Sequence, residues 1–304
     1  MTISEAFTLF IREKYSDGNS LETMNYYNYN IPKFIEWCYD FYDIEDVEDL
    51  DSTVFEEYKI CLLNNKIRTK KTSLQTYSRA IKTFLNWLNN NGLLSRDIGK
   101  LTLIKAELPN IIPLSDTEVR ILLKCFDNSY LGIRNKLIVL LMVDSGLRRA
   151  EVVNIKRTNI NLVNKTMLIL GKGNKERIVP FGEETKRYIR IYSNMINQSE
   201  QYFFQKSNGE HITNNTIKMF FQDLKKDSGI SRLYPHLLRH TFATNYILYG
   251  GDVEELRILL GHTSITMTQK YVHLAAQQRI LNQRYHSHID KLICQFEDTE
   301  LNVS

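Results

Sequence analysis

Long apolar runs are missing from this chain of 304 residues. The longest, Leu137 to Val143, falls far short of the roughly 20 residues that a membrane-spanning helix needs. Cysteine is scarce. Cys38, Cys61, Cys125 and Cys294 are scattered with no Cys-x-x-Cys pair, which argues against a disulfide framework and against a zinc knuckle. The first residues, Met1 to Glu5, have neither a basic start nor an apolar core, so no signal peptide is expected and a reducing cytoplasm fits best. The Gly-x-x-x-x-Gly-Lys-Ser/Thr pattern is absent, so Gly171-Lys-Gly173 does not read as a nucleotide loop. No cluster of Asp and Glu stands beside the His- and Arg-bearing motifs near the C-terminus, and neither a metal nor a cofactor is expected there.

A large charge excess is also lacking: the net charge is only +4. The distribution says more than the sum. Residues 1 to 110 hold 13 Lys or Arg against 16 Asp or Glu, leaving 26 against 19 beyond. Ten acids and no base lie between Glu36 and Glu57, and seven bases and no acid between Tyr58 and Ser95. Such sorting suits a chain that turns one face to a polyanion and another to solvent or a partner, although a solvated helix face gives the same pattern.

A chain of this length accommodates two domains. Thr2 with Glu5 fits a capping box, Ser20 fits the cap of a longer helix, and further apolar periodicities cover residues 52 to 64 and 74 to 88. Four helices with a basic turn and a basic last helix, capped at Thr72 or Ser73, suit a small module that grips DNA through its phosphates. Its candidate contacts are Lys66, Arg68, Lys70, Lys71, Arg79 and Lys82. The module is placed at residues 1–95. Residues 96–113 lack a clear period and end in Leu-Pro-Asn-Ile-Ile-Pro, an extended linker.

The second domain, 114–304, opens on the capping box Ser115 to Glu118 and continues into a nearly all-apolar helix, Gly132 to Val143. After Lys165 the period becomes strand-like, and two short runs flanking a Gly-rich turn predict a β-hairpin. Mainly α with a small β-hairpin in the second domain, an α+β class, is therefore the expected fold. From about residue 275 a last helix carries Ile280, Leu281, Ile289, Leu292 and Ile293, an apolar stripe that docks on its own domain or on a neighbouring protomer.

Three blocks carry chemistry. Gly146-Leu-Arg148-Arg-Ala-Glu151 puts an arginine at a helix start, where unpaired N–H groups also attract anions. Pro235-His236-Leu-Leu-Arg239-His-Thr-Phe-Ala-Thr begins with a favoured first-turn proline and sets His236 and Arg239 three apart, on one helix face. Leu-Gly261-His262-Thr-Ser then delivers His262 from a turn, and Thr268-x-x-Tyr271 follows, with Tyr271 nine residues after His262. Guanidinium forks match two phosphate oxygens at once, so this set suits a phosphodiester under attack by an oxygen nucleophile.

Taken together, these motifs resemble the tyrosine site-specific recombinases, the phage-integrase and Xer-like family. The resemblance implies an N-terminal helical core-binding domain and a C-terminal catalytic domain forming a C-shaped clamp on double-stranded DNA with inverted-repeat core sites. It implies Arg148, Lys172, His236, Arg239, His262 and Tyr271 as catalytic residues and Glu151 as a structural carboxylate. Lys175 and Arg177 become secondary phosphate contacts. A tetrameric synaptic complex, joined through the C-terminal helix, is the implied assembly. The implied activity is integration or excision of a mobile element, or resolution of dimers or cointegrates, through a 3′-phosphotyrosyl link without metal or ATP. Two other readings remain, a catalytically silent DNA-binding regulator and a type IB topoisomerase-like enzyme. Presence of all six residues argues against the first, and relaxation of arbitrary plasmids by monomer would favour the second.

Overall fold

Helix α1 (Ile3–Ser16) starts where Thr2 and Glu5 cap each other's backbone N–H, at 3.1 and 2.9 Å. The computed structural model describes residues 1–64, 70–106, 111–171 and 175–281. Lys66, Arg68, Lys172 and the expected tail beyond Leu281 lie outside the described residues. The chain divides into two compact units, Met1–Asn110 and Ile111–Ser304.

In the first unit, α1 is followed by α2 (Leu21–Tyr42), α3 (Ser52–Asn64) and α4 (Lys71–Asn90). Ser20 caps α2, and Pro32 is accommodated inside it. Phe10, Ile31, Phe34, Phe55, Ile81, Phe84 and Leu85 are fully buried between the helices. The start of α4 departs from expectation: Lys70 occupies the cap position without a side-chain bond, so neither Thr72 nor Ser73 caps it. Residues 96–106 form no helix or strand, yet Ile98 and Leu101 are buried in this unit's core. Their apolar side chains were too few and too irregularly spaced to signal packing.

The second unit is built round α6 (Tyr130–Asp144), whose buried Leu137 to Met142 are covered on several sides, which is why it shows no polar face. Preceding it is α5 (Asp116–Lys124), opened by the Ser115–Glu118 capping box. Then come α7 (Arg149–Val153), α8 (Glu183–Ser193), α9 (Asn214–Asp227), α10 (Pro235–Leu248), α11 (Val253–Leu260) and α12 (Thr266–Leu281). The expected hairpin is present as β2 (Thr166–Leu170) and β3 (Glu176–Pro180), antiparallel with Met167 opposite Val179. A third strand, β1 (Ile160–Asn161), pairs with β2. Two residues are too short for a periodicity to announce.

Helices α8 and α10 pack on α6, and α12 lies along α10. Gly182 cannot cap α8 with a side chain of its own. Asp144, at the end of α6, does so instead, accepting from Gly182 N at 2.7 Å and from Thr185 Oγ1 at 2.6 Å. No helix among the described residues is long and apolar enough to cross a membrane.

Candidate active site

Glu151 is the node on which the site is assembled. Its side chain is 5% exposed and accepts four hydrogen bonds: from Arg148 N at 2.7 Å, Arg148 Nη1 at 2.8 Å, and Arg177 Nη1 and Nη2 at 3.0 and 2.9 Å. Arg239 Nη1 stands 3.8 Å from the same carboxylate. Burial alone would raise the Glu151 pKa, but the bonds from Arg177 and the charge of Arg148 outweigh it and hold the carboxyl below its ordinary value. Three guanidiniums thus share one carboxylate, and the cluster keeps an excess of positive charge.

Local sequence explains how the parts arrive. Gly146 sits in the left-handed region (φ 65°), which lets the chain turn sharply from α6 to the cap position of α7, held by Arg148. A Cβ on Gly146 would lie 2.4 Å from the Phe242 ring. At the other end, Gly261 closes α11 in the same region (φ 60°) and turns His262 inward. An added Cβ there would press on Arg177 Nη1 at 3.2 Å.

Arg239 comes from the first turns of α10 and is only 3% exposed. Its guanidinium is fixed by the carbonyls of Gly146 and Leu260, both at 2.6 Å, and by His262 Nε2 at 3.3 Å. Burial, then repulsion from Arg148, lowers its pKa to about 9, so it stays protonated at neutral pH. Since a guanidinium has only donors, His262 Nε2 is the acceptor, and the ring hydrogen belongs on Nδ1, which donates to Thr268 Oγ1 at 2.9 Å. Burial and the charges of Arg239 and Arg148 depress the His262 pKa to about 3, so the ring is neutral.

Tyr271, on α12, is 1% exposed and packs among Ala243, Ile247, Leu256, Leu260 and Ala275. Its ring lies nearly parallel to His262, with centroids 6.3 Å apart. Burial raises the phenol pKa to about 12, against the opposing influence of Arg239 and Arg148. The Tyr271 hydroxyl bonds to His240 Nδ1 at 2.9 Å. Lys270 places its ammonium 4.9 Å from the centroid of the Tyr271 ring. His236 keeps an exposed side chain at the helix start, and partial desolvation followed by the charge of Arg239 lowers its pKa.

The structure therefore brings together Arg148, Glu151, Arg239, His262 and Tyr271, with His236 at the rim. Arg177, expected as a DNA contact, instead points inward, with its side chain 8% exposed and its Nε donating to Leu259 O at 2.7 Å. Lys175 is exposed on the hairpin. In the first unit Lys70, Lys71 and Arg79 are exposed, whereas Lys82 donates to Leu101 O at 2.5 Å and ties down the following segment. Sequence reasoning missed His240 and the buried Thr268 as partners of the site. The four-residue spacing of His236 and His240 was the available signal for the first. Among the described residues no group of three or more His, Cys, Asp or Glu is placed to hold a metal.

The family model described as the phage integrase family matches residues 113–278. Tyrosine recombinase XerD of Vibrio cholerae is 30% identical over 285 residues, covering 89% of this chain and 91% of that relative. Tyrosine recombinase XerC of Staphylococcus carnosus is 36% identical over 152 residues, covering 48% of this chain and 51% of the relative, so the chain matches about half of that protein's length. The crystal structure of a lambda integrase dimer bound to a core site has the same fold, with a TM-score of 0.72 at 17% identity over 89% of this chain and 95% of that one. Since the family model spans more than half of the sequence and the Vibrio relative nearly all of it, the chain belongs to the phage integrase family of tyrosine recombinases.

Proposed function

We propose that this chain is a site-specific DNA recombinase that cuts and rejoins strands through a 3′-phosphotyrosyl intermediate on Tyr271. One observation carries the reading: three guanidiniums gather round one buried carboxylate, and the Tyr271 ring stacks on the histidine that Arg239 touches. The surplus positive charge suits a phosphodiester, whose oxygens match guanidinium forks.

In the proposed step Tyr271 Oη attacks phosphorus, the P–O5′ bond breaks as the new ester forms, and Lys172 protonates the departing O5′. Arg148 and Arg239 stabilise the charge that gathers on the non-bridging oxygens, a role worth about 2.7–4 kcal/mol for each preorganised donor, and His262 joins them once the bound phosphate raises its pKa and a proton reaches Nε2. His236 orients the site from its rim or helps take the phenolic proton that Tyr271 gives up as it attacks. Bond energy is stored in the protein–DNA ester, so a 5′-hydroxyl from another strand reverses the step without ATP or metal.

The partner is double-stranded DNA with inverted-repeat core sites. Residues 1–95 act as the core-binding domain, contacting phosphates through Lys66, Arg68, Lys70, Lys71 and Arg79; residues 96–113 join it to the catalytic domain, where Lys175 adds a contact. Four protomers synapse through the C-terminal helix, in the cytoplasm. The test is Tyr271→Phe, assayed on duplexes drawn from the DNA flanking the gene. DNA binding should stay within a few-fold of wild type while covalent adducts on denaturing gels disappear. An adduct persisting in that variant would overturn the assignment of Tyr271.

A further inference from the structure

We propose that His240 is a positioning residue for the Tyr271 nucleophile, its Nδ1 accepting the phenolic hydrogen and so fixing Oη against the helix that carries Arg239. The proposal rests on the strand-transfer reading above and deepens it.

The geometry comes first. Oη lies 2.9 Å from His240 Nδ1 and, among the described residues, has no other hydrogen-bond partner. His240 is the residue after Arg239 on α10, and Arg239 is clamped to the carbonyls of Gly146 and Leu260. Nucleophile and phosphate-gripping guanidinium are therefore indexed to one turn of one helix, although Tyr271 is carried by α12. Misplacing a reacting atom by about 1 Å can cost about a hundredfold in rate, so an index of this kind has kinetic weight.

The protonation pattern agrees. His240 faces Lys270 on α12 and His236 and Arg239 on its own helix, and desolvation with these charges holds its pKa near about 4. Among the described residues the phenolic hydrogen has no other acceptor, so an unprotonated Nδ1 is the arrangement that satisfies it, pointing the hydrogen toward α10 and leaving the oxygen lone pairs to other directions. The phenol, at about 12, and the imidazole, at about 4, are too far apart for His240 to take the proton outright in the DNA-free protein. Positioning, rather than proton abstraction, is what this pair is built for.

The test compares His240→Asn, whose amide oxygen can occupy the place of Nδ1, with His240→Ala in the full chain. The substrate is a nicked duplex selected from a randomised library by binding to wild-type protein. His240→Ala should slow adduct formation by about 10- to 100-fold with DNA binding unchanged, and His240→Asn should return to within about threefold of wild type. A wild-type rate in His240→Ala, or an Asn variant as slow as the Ala variant, would overturn the proposal. Nitrogen NMR supplies a readout independent of turnover. His240 should carry its hydrogen on Nε2, and the Nδ1 shift should move in Tyr271→Phe; an Nδ1–H tautomer would reverse the direction of the bond and overturn the proposal. Failure of wild type to form any adduct sinks the strand-transfer reading, and the role with it, while the NMR result still reports the bond.

Discussion

Replacing Glu151 with glutamine removes one charge and almost no volume, and the site should respond out of proportion. The carboxylate accepts four hydrogen bonds from Arg148 and Arg177, with Arg239 3.8 Å away. A glutamine amide has one oxygen for those donors and turns its own N–H groups toward them. Breaking a buried ion pair from one side costs about 3–5 kcal/mol. Because Arg148 retains 31% exposure and is partly screened, the lower half of that range is expected for Glu151→Gln. In a unit of this size, the fall corresponds to about 6–16 °C in Tm. Circular dichroism during denaturant unfolding would record it, while tryptophan fluorescence provides a control: Trp37 and Trp87, the only two tryptophans, both lie in the first unit, whose transition should not move. Sulfate should restore the variant more than it stabilises wild type, since a bound anion replaces the missing negative charge. A variant within about 1 kcal/mol of wild type, with no larger response to sulfate, would refute the role of Glu151 as counter-charge.

Three further outcomes are expected. His262 has its pKa lowered from 6.5 to about 3, so its contribution to stability is full above pH 6.5 and is lost as pH falls toward the folded value. At about pH 5 the loss from this one residue is about 2 kcal/mol, visible as a drop in unfolding free energy that His262→Asn should lack. Thr268→Val leaves the His262 Nδ1–H without its acceptor at a fully buried position; it should cost about 1–3 kcal/mol and slow adduct formation, and Thr268→Ser should restore both. Binding of duplex DNA should be accompanied by proton uptake near pH 6, read as a buffer-dependent heat in calorimetry, because a phosphate near Arg239 raises the pKa of His262; identical heats in buffers of different ionisation enthalpy would contradict this.

Much of the fold was legible because it rests on local signals. Thr2 with Glu5 and Ser115 with Glu118 are capping boxes whose partners are three residues apart, and both form. The β2–β3 hairpin follows from two apolar runs and the turn between them. The motif residues converge for a related reason: Gly146 and Gly261 end helices at backbone angles that few other residues adopt, so the turns after them are encoded locally. What could not be read is what closes over distance. Arg177 meets Glu151 across 26 residues and Leu259 across 82, and nothing in Arg177-Ile-Val-Pro distinguishes an inward guanidinium from a DNA-facing one. Lys82 looks like any exposed base in a basic stretch until its partner, the carbonyl of Leu101, is known. His240 was in plain view beside Arg239, but only packing of α12 on α10 brings Tyr271 to it.

The direction of the pKa shifts says what the site lacks. His236, His240, His262, Arg239 and Lys270 are all pushed toward their neutral forms, by desolvation first and by one another's charge second. Glu151 is the single acid built into the node, and it does not balance the guanidiniums round it. Guanidiniums that repel one another, with neutral imidazoles between them, are poised for an anion, and each donor would interact more strongly once the anion displaces water. Tyr271 obeys the same logic from the other side. Its phenol is kept protonated by burial, and the charges that oppose that burial are Arg239 and Arg148, the pair expected to bind the phosphate. In the proposed step, attack by Oη would transfer negative charge to phosphate oxygens held by those two arginines, so the charges that oppose the burial of the phenol are the ones that would favour the ester once DNA is in place.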